Sequence, residues 1–468
     1  MGNAWIRGVG ATRGLVGVVV APFAVSIAAA ACSPRGPAPT YASDETWFAE
    51  PESAVAAEAR DEGPFAETLR RVARSRGLDV LQPVAARRVS RRDALRHVRA
   101  KAARDVPPEV MLAQGELLRS LGVVPRNYDY LAGVYALLAD NLAGFYDQDE
   151  DALFLVDDLR GASVHETIVH ELVHALQDQH FDLNRMLRFR AGQSDRTAAA
   201  HALCEGDATA ATMSVVAGSA VRLSADELQG MMLHSVAERS SAPPEVLQRS
   251  LVMPYIDGLR FVQALYERGG WPEVDAAYRR LPRSTEQLLH LEKYDENELP
   301  ETVRPPPVPD GFVVIDRDTL GEQALRILLD QWSPGRAPEA ASGWRGDQYV
   351  VVRRRRGDEV AFGFGIHIRM EREADAEELV AAVAEPGTGA LTLPAPDAGG
   401  VEADVRACRE RADLGPLALV RRGSAVALVA GPYRRTPALR SASRCDDGLA
   451  WAEKSLDPWG EADETSSR

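Results

Sequence analysis

The apolar positions of the N-terminal half of the chain recur at helical spacing. Residues 109–121 follow Pro107-Pro108, carry apolar side chains every three or four positions and are followed by Gly122. Residues 130–142 and, further on, residues 195–300 have the same spacing. The pattern predicts a mainly helical region from about residue 64 to residue 142 and another from residue 195 to residue 300.

Two parts of the chain have the pattern of strands instead. The apolar runs 144–146 and 152–156 flank an acidic stretch, which predicts a β-hairpin. Beyond the three prolines at 305–307, residues 311–315, 349–352, 360–370 and 417–430 have the composition of strands, and residues 374–384 that of a helix. We therefore expect an α+β fold in which a smaller α+β domain, residues 308–455, precedes a flexible tail at 456–468.

The first residues have the order of an export signal. Arg7 and Arg13 precede an uncharged apolar stretch that ends in four alanines before Cys32. This junction resembles a bacterial lipobox, which implies cleavage before Cys32 and a lipid anchor on that cysteine; the alternative is plain secretion after Ala31. Both interpretations export the chain to the periplasm or the exterior, with residues 1–32 as the signal peptide and 33–60 as a linker.

The charge and the cysteine content of the chain argue against two classes of protein. The 468 residues carry a formal net charge of −15 at pH 7, which disfavours nucleic acid because its phosphates would be repelled. The four cysteines, at 32, 204, 408 and 445, are too few for a disulfide-dense scaffold. Cys408 and Cys445 lie in the same predicted domain and would pair in an oxidising compartment, but the sequence leaves that pairing open.

A His-Glu-x-x-His motif lies on a predicted helix that begins with the capping pattern Ser163-x-x-Glu166. At about 100° per residue, His170 and His174 fall nearly opposite the apolar face of this helix and one above the other, so both imidazoles can reach one metal ion. Glu171 lies beside them, where a carboxylate can take a proton from the attacking water. The motif predicts a catalytic Zn²⁺ site; the alternative is an amphipathic helix with two partly buried histidines.

A catalytic zinc takes three protein ligands, and spacing alone leaves more than one candidate for the third. His165 lies off the metal face. His180 has the metzincin spacing, although Gln177 stands where that pattern has glycine, and the segment around Met253 faintly resembles the metzincin Met-turn. Glu205, in the run Glu-Gly-Asp-Ala on a second predicted helix, resembles the Glu-Gly-x-Ala element of gluzincins. We predict Glu205 as the third ligand, with His180 as the alternative.

The resemblance to one group of proteins extends further. Residues 170–179, with the run 205–208, the hairpin at 144–156 and the run 282–294 (PRSTEQLLHLEKY), resemble bacterial exported zinc metallopeptidases related to gluzincins. The resemblance implies a zincin-like catalytic domain at residues 61–305. Tyr255-x-x-Gly258 is similar to a gluzincin aminopeptidase element, which implies that the Tyr255 hydroxyl stabilises the tetrahedral intermediate; His290 is a second candidate donor. Thr209 stands where many gluzincins have an aspartate that supports a ligand histidine, so that partner is unassigned.

The expected activity is hydrolysis of peptide bonds outside the cytoplasm, with Zn²⁺ as the cofactor and Glu171 as the general base. The substrate would be a peptide or protein, and the strand at residues 153–156 would pair with it through its backbone. A lipid anchor would hold the enzyme at the membrane. Two alternatives are a zinc amidase acting on cell-wall peptides and a non-catalytic envelope binding protein with a degenerate site.

Overall fold

A computed structural model describes residues 65–159, 162–217, 225–239, 243–387, 389–392, 405–435 and 443–457. The predicted signal peptide, the linker and residues 458–468 of the predicted tail lie outside these residues. The first of two compact units comprises the described residues up to Pro107, Leu131–Arg190 and Asp195–Glu298. The second comprises Pro108–Tyr130, Ala191–Ser194 and the described residues from Leu299 onward.

Helices dominate the chain up to residue 298. In order the elements are α1 (Ala66–Arg76), β1 (Ala85–Val89), α2 (Arg91–Asp105), α3 (Pro108–Leu121), α4 (Tyr130–Asn141), β2 (Gly144–Asp147), β3 (Ala152–Val156), α5 (Ala162–Phe181), α6 (Leu183–Leu187), α7 (Ser194–Ala217), α8 (Ala225–Arg239), α9 (Glu245–Gly269), α10 (Trp271–Arg279), α11 (Thr285–Leu289) and α12 (Leu291–Asp295). Helix α5 begins at Ala162, one residue before the serine of the predicted capping pattern.

Beyond residue 298 strands prevail. The elements are β4 (Val313–Asp318), α13 (Gly321–Asp330), α14 (Ala337–Ser342), β5 (Trp344–Arg356), β6 (Glu359–Met370), α15 (Glu373–Val383), β7 (Val405–Arg411), β8 (Gly415–Arg422), β9 (Ala425–Arg434) and α16 (Cys445–Leu456). The expected mixed α and β class, a helical region followed by a β-sheet domain, is confirmed. None of the described helices has the length and apolar character needed to cross a membrane.

The sheet of the first unit has three strands in the order β1-β3-β2. Strands β2 and β3 form the predicted hairpin, with Gly144 opposite Leu155. Strand β1 runs parallel to β3 and lies in a stretch that was predicted to be helical. Because β3 is the central strand and its backbone is bonded on both sides, the expectation that it pairs with a substrate is wrong.

Helix α5 is held in place by its apolar face. Ile168, Leu172 and Leu176 are buried in one cluster with Leu69 and Val72 of α1. Burial of each such side chain contributes about 1.5–3 kcal/mol. The packing fixes the rotation of α5, so its opposite face points towards α7.

Helices α7 and α9 cross at two glycines with almost no space between their backbones. A Cβ atom at Gly258 would lie 1.8 Å from the carbonyl oxygen of Ala202, and one at Gly206 would lie 2.0 Å from the carbonyl carbon of Gly258. Only glycine allows this approach. It places Glu205 and Tyr255, which neighbour the crossing, beside the same face of α5.

The second unit is built on a six-stranded antiparallel sheet in the order β4-β5-β6-β9-β8-β7. Residues 417–430, predicted as one strand, are parts of the hairpin β8–β9. Helix α16 packs on the sheet through Trp451, and Cys408 of β7 forms a disulfide with Cys445 of α16. Helix α3, which the predicted boundary assigned to the catalytic domain, belongs to this unit, where its Glu116 hydrogen-bonds Tyr433 of β9.

Candidate metal centre

Three buried donor groups meet between α5 and α7. His170 and His174 lie one turn apart on α5, and Glu205 faces them from α7. His170 Nε2 is 3.2 Å from Glu205 Oε2 and 3.2 Å from His174 Nε2, and His174 Nε2 is 3.6 Å from Glu205 Oε2. The three donor atoms all lie within 4.8 Å of one another, so this buried group could hold a metal ion.

The charged groups of the cluster shift one another's pKa values. Burial lowers the pKa of His174, but the charges of Glu205 and Glu171 and the hydrogen bonds with Glu205 and Gln177 together raise it to about 9. Burial raises the pKa of Glu205, whereas His174 and the hydrogen bonds from His170, His174 and His201 hold it well below its usual range. The two shifts pair the Glu205 carboxylate with a proton on His174, and a metal ion bound there would displace that proton.

Gln177 fixes the orientation of His174. The Gln177 Nε2 group donates to the backbone oxygen of Cys204 at 3.0 Å and to Asp207 Oδ2 at 2.9 Å. Because both of these partners only accept hydrogen bonds, Gln177 Oε1 must be the atom that faces His174 Nδ1, at 2.8 Å. His174 Nδ1 therefore carries a hydrogen, and Nε2 is the nitrogen directed at the cluster.

Asp207 is itself held by a buried network behind α7. It accepts hydrogen bonds from Arg76 Nε at 2.6 Å and from the Tyr278 hydroxyl at 2.8 Å, besides the one from Gln177. Arg76 and Asp207 are both fully buried, and Arg76 also donates to Asp275 at 2.7 Å. No spacing along the chain connects these residues, since they come from α1, α7 and α10.

Glu171 lies next to the cluster with one oxygen bonded and one without a protein partner. Its Oε2 accepts a hydrogen bond from the backbone N–H of Tyr146 in β2 at 2.8 Å. Its Oε1 is buried and has no partner among the described residues. Burial raises the pKa of Glu171, although His174 and His170 act in the opposite direction. The bonded oxygen orients the carboxylate, and the other is available to a water or a substrate group.

Tyr255 also reaches the cluster. Its ring is stacked on that of His170, with 6.0 Å between the centroids. Burial raises its pKa well above 10.0, and so do the charges of Glu205 and Glu171 and a hydrogen bond to Glu205. The phenol therefore keeps its proton and acts as a hydrogen-bond donor beside the candidate ligands.

His201 is a member of the site that the sequence analysis missed. Its Nε2 lies 3.2 Å from Glu205 Oε1, the oxygen that does not face His170. The spacing of four residues between His201 and Glu205 on one helix was a usable signal, because it places both side chains on the same face. His201 holds Glu205 from the side away from α5.

The other histidines considered from the sequence lie elsewhere. Helix α5 continues through residue 181, and His180 Nε2 bonds to the backbone oxygen of Asp79 at 2.8 Å. His165 Nε2 lies 2.8 Å from an Arg71 nitrogen. His290 lies between α11 and α12, outside the cluster. The segment compared with a Met-turn is inside helix α9, which contains Pro254.

A second acidic group near β2 is occupied by cations of the protein. Asp147 lies 2.6 Å from His97 Nε2 and 3.2 Å from the Lys101 ammonium. Burial raises the pKa of Asp147, but the hydrogen bond and charge of His97, the charge of Lys101 and the backbone N–H of Asp149 together lower it to about 2. This group, which with Glu150 could also hold a metal ion, forms an internal ion-pair network.

Comparisons with known proteins concern the second unit only. A family described as a domain of unknown function (DUF8575) matches residues 312–439, which include strands β4 to β9. The match does not reach the residues of the donor cluster. No curated protein and no solved structure matches the chain.

Proposed function

We propose that the first unit is a zinc-dependent peptidase. The observation that carries this proposal is the convergence of His170, His174 and Glu205 beside a Glu171 oxygen that has no hydrogen-bond partner in the part of the chain that the structure describes. Two imidazoles and one carboxylate are a donor set that suits Zn²⁺ and leaves one coordination position open, as hydrolysis requires. Among the described residues no lysine or arginine forms an ion pair with Glu205, whereas Lys101 pairs with Asp147 in the neighbouring network.

The residues around the cluster suit peptide hydrolysis. A bound zinc ion would supply Lewis-acid activation of the attacking water and of the scissile carbonyl. Glu171 Oε1 accepts the proton of the attacking water and delivers it to the leaving amine. The Tyr255 hydroxyl, which burial keeps protonated, donates to the oxygen that becomes negative in the tetrahedral intermediate.

The substrate side follows from burial and strand order. His174 is more exposed to solvent than its neighbours in the site: 8% of its surface is exposed, compared with 1% for Glu205 and for Tyr255. Strand β2 pairs with β3 on one side, and its Tyr146 N–H on the other side holds Glu171. We propose that a peptide or protein outside the cytoplasm approaches along this side, with the enzyme exported and anchored through Cys32.

The experiment that tests the proposal measures metal and activity together. The purified protein is analysed for bound metal by mass spectrometry and incubated with labelled casein and, separately, with cell-wall peptide fragments. We expect about one zinc per chain and cleavage of casein. Cleavage of the cell-wall fragments alone would favour the amidase alternative, and bound zinc with no hydrolysis of either would favour a binding protein.

Variants separate the roles of the residues. Glu171→Gln should keep the metal and lower hydrolysis by about a hundredfold or more, because it removes the base and keeps the shape. Glu166→Gln, on the same helix outside the cluster, is the matched control. Glu205→Ala should lose the metal and His180→Ala should keep it. The reverse result for the last pair would move the third ligand to His180.

A further inference from the structure

A cleft lined by arginines lies in the first unit, apart from the donor cluster. Its volume is about 400 Å³, within the range of about 300–1,000 Å³ that is usual for small-ligand pockets. No aspartate or glutamate is among the described residues that line it, and none of the candidate metal-site residues does. Six of the lining residues are arginines: Arg185, Arg190, Arg196, Arg279, Arg280 and Arg283.

These arginines come from two segments that only the fold brings together. One segment runs from α6 to the first turn of α7, and the other from the end of α10 to Arg283. Buried Tyr278 and Thr197 also line the cleft. Arg283 belongs to the run 282–294 noted in the sequence, and no residue of that run belongs to the donor cluster.

The positive charge of the cleft is poorly balanced by the protein. The nearest carboxylate of Arg185 is Asp182 at 3.6 Å, and 75% and 61% of the two side chains are exposed, so that pair contributes little. Arg280 donates to the backbone oxygen of Tyr294 at 2.9 Å. Within the described part of the chain, Arg196 has no ion pair.

The arginines also act on one another. Burial lowers the pKa of Arg196, and the charges of Arg283 and Arg190 lower it further. Like Arg196, Arg279 and Arg283 form no ion pair with a described carboxylate. In a chain with a net charge of −15, this concentration of unbalanced cations around one cavity is a local exception. Mutual repulsion of this kind is relieved when an anion binds between the charges.

We propose that this cleft binds a compact anion with several negative charges, of the diphosphate or tricarboxylate class. Guanidinium groups bind phosphate and carboxylate oxygens through paired hydrogen bonds, and several arginines can share one such ligand. The Thr197 hydroxyl and the Asn297 amide at the cleft add neutral donors. The site is separate from the proposed peptidase centre and does not depend on it.

Calorimetric titration of the purified protein with pyrophosphate, citrate and inorganic phosphate tests the proposal. We expect one site for pyrophosphate or citrate, weaker binding of inorganic phosphate, and weakening with added salt. The double variant Arg196→Gln/Arg283→Gln should bind about a hundredfold more weakly, since each charged hydrogen-bonding group contributes about tenfold or more. Arg283→Lys, which keeps the charge and loses the paired geometry, should have an intermediate effect.

Two controls separate this site from other causes. The pair Arg74→Gln/Arg92→Gln removes two exposed charges elsewhere and should leave the affinity nearly unchanged; an equal loss would mean general attraction and overturn the proposal. His174→Ala should still bind pyrophosphate, whereas loss of binding would assign the anion to the metal centre. The proposal would also be overturned if the wild type bound none of these anions, or if it bound a glutamate-rich peptide but not pyrophosphate.

Discussion

Replacing Gly258 by alanine tests whether the α7–α9 crossing builds the metal centre. The added Cβ would lie 1.8 Å from the Ala202 carbonyl oxygen, and real Cβ atoms essentially never approach closer than 3.0 Å. The backbones must therefore separate by at least about 1.2 Å at this point. Metal–ligand distances tolerate only about 0.2 Å, so Glu205, one turn from Ala202, can no longer complete the cluster.

The expected magnitudes follow from that displacement. Overpacking of this kind costs about 1–3 kcal/mol and more when the obstacle is backbone. Zinc affinity should fall by at least about a hundredfold, the upper end of the effect of removing one outer hydrogen-bond partner. Chelator competition measures the affinity, and chemical denaturation measures the free energy of unfolding.

Gly230→Ala is the matched control for this experiment. Gly230 also lies within a helix, but a Cβ there would meet no atom of a described residue within 4 Å. The change should stabilise the protein by about 1 kcal/mol through helix propensity and leave zinc affinity unchanged. Wild-type affinity and stability in the Gly258→Ala variant would refute the structural reasoning. Lost stability with unchanged affinity would show that Glu205 is positioned independently of the crossing.

Three further predictions concern buried polar groups. Gln177→Met should lower zinc affinity by about 10–100-fold in the same chelator assay without removing the metal entirely, because His174 loses its orienting partner. Arg76→Met leaves Asp207 buried without its cation and should destabilise the protein by about 3–5 kcal/mol in denaturation, whereas exposed Arg74→Met should change stability little. In the second unit, burial and the charge of the neighbouring Asp318 raise the pKa of Asp316 from 3.8 to about 7. The folded state therefore binds the proton more tightly than the unfolded state, and the free energy of unfolding should fall as the pH rises from about 4 to about 7. Asp316→Asn should flatten that slope in melting curves at acidic and neutral pH, and an unchanged slope would contradict the assignment.

The spacing of apolar residues was sufficient to predict elements whose buried face depends on their own segment alone. The four-residue apolar period predicted the buried face of α5, and that face determines where His170 and His174 point. The acidic run between two apolar runs predicted the β2–β3 hairpin. In each case the periodicity of side chains along one segment determines which face is buried.

The spacing of apolar residues did not predict elements whose structure or position depends on a segment distant in the chain. Strand β1 contains Arg87 and Arg88 and shows no apolar alternation, and it is a strand because β3 offers it a parallel edge. That pairing also makes β3 the central strand, which removed the substrate role expected for it. Helix α3 lies early in the chain but packs with the second unit, a placement that no local signal encodes.

Two residues near the donor cluster differ from the known zinc-site patterns that the sequence resembles. Gln177 stands where metzincins have glycine, and Thr209 stands where many gluzincins have a supporting aspartate; the Thr209 hydroxyl has no hydrogen-bond partner among the described residues. Asp207, two positions from Glu205, is linked to His174 through Gln177, whose Nε2 donates to Asp207 Oδ2 and whose Oε1 accepts from His174 Nδ1. In the proposed zinc site, Asp207 would thus support His174 through an intermediate amide.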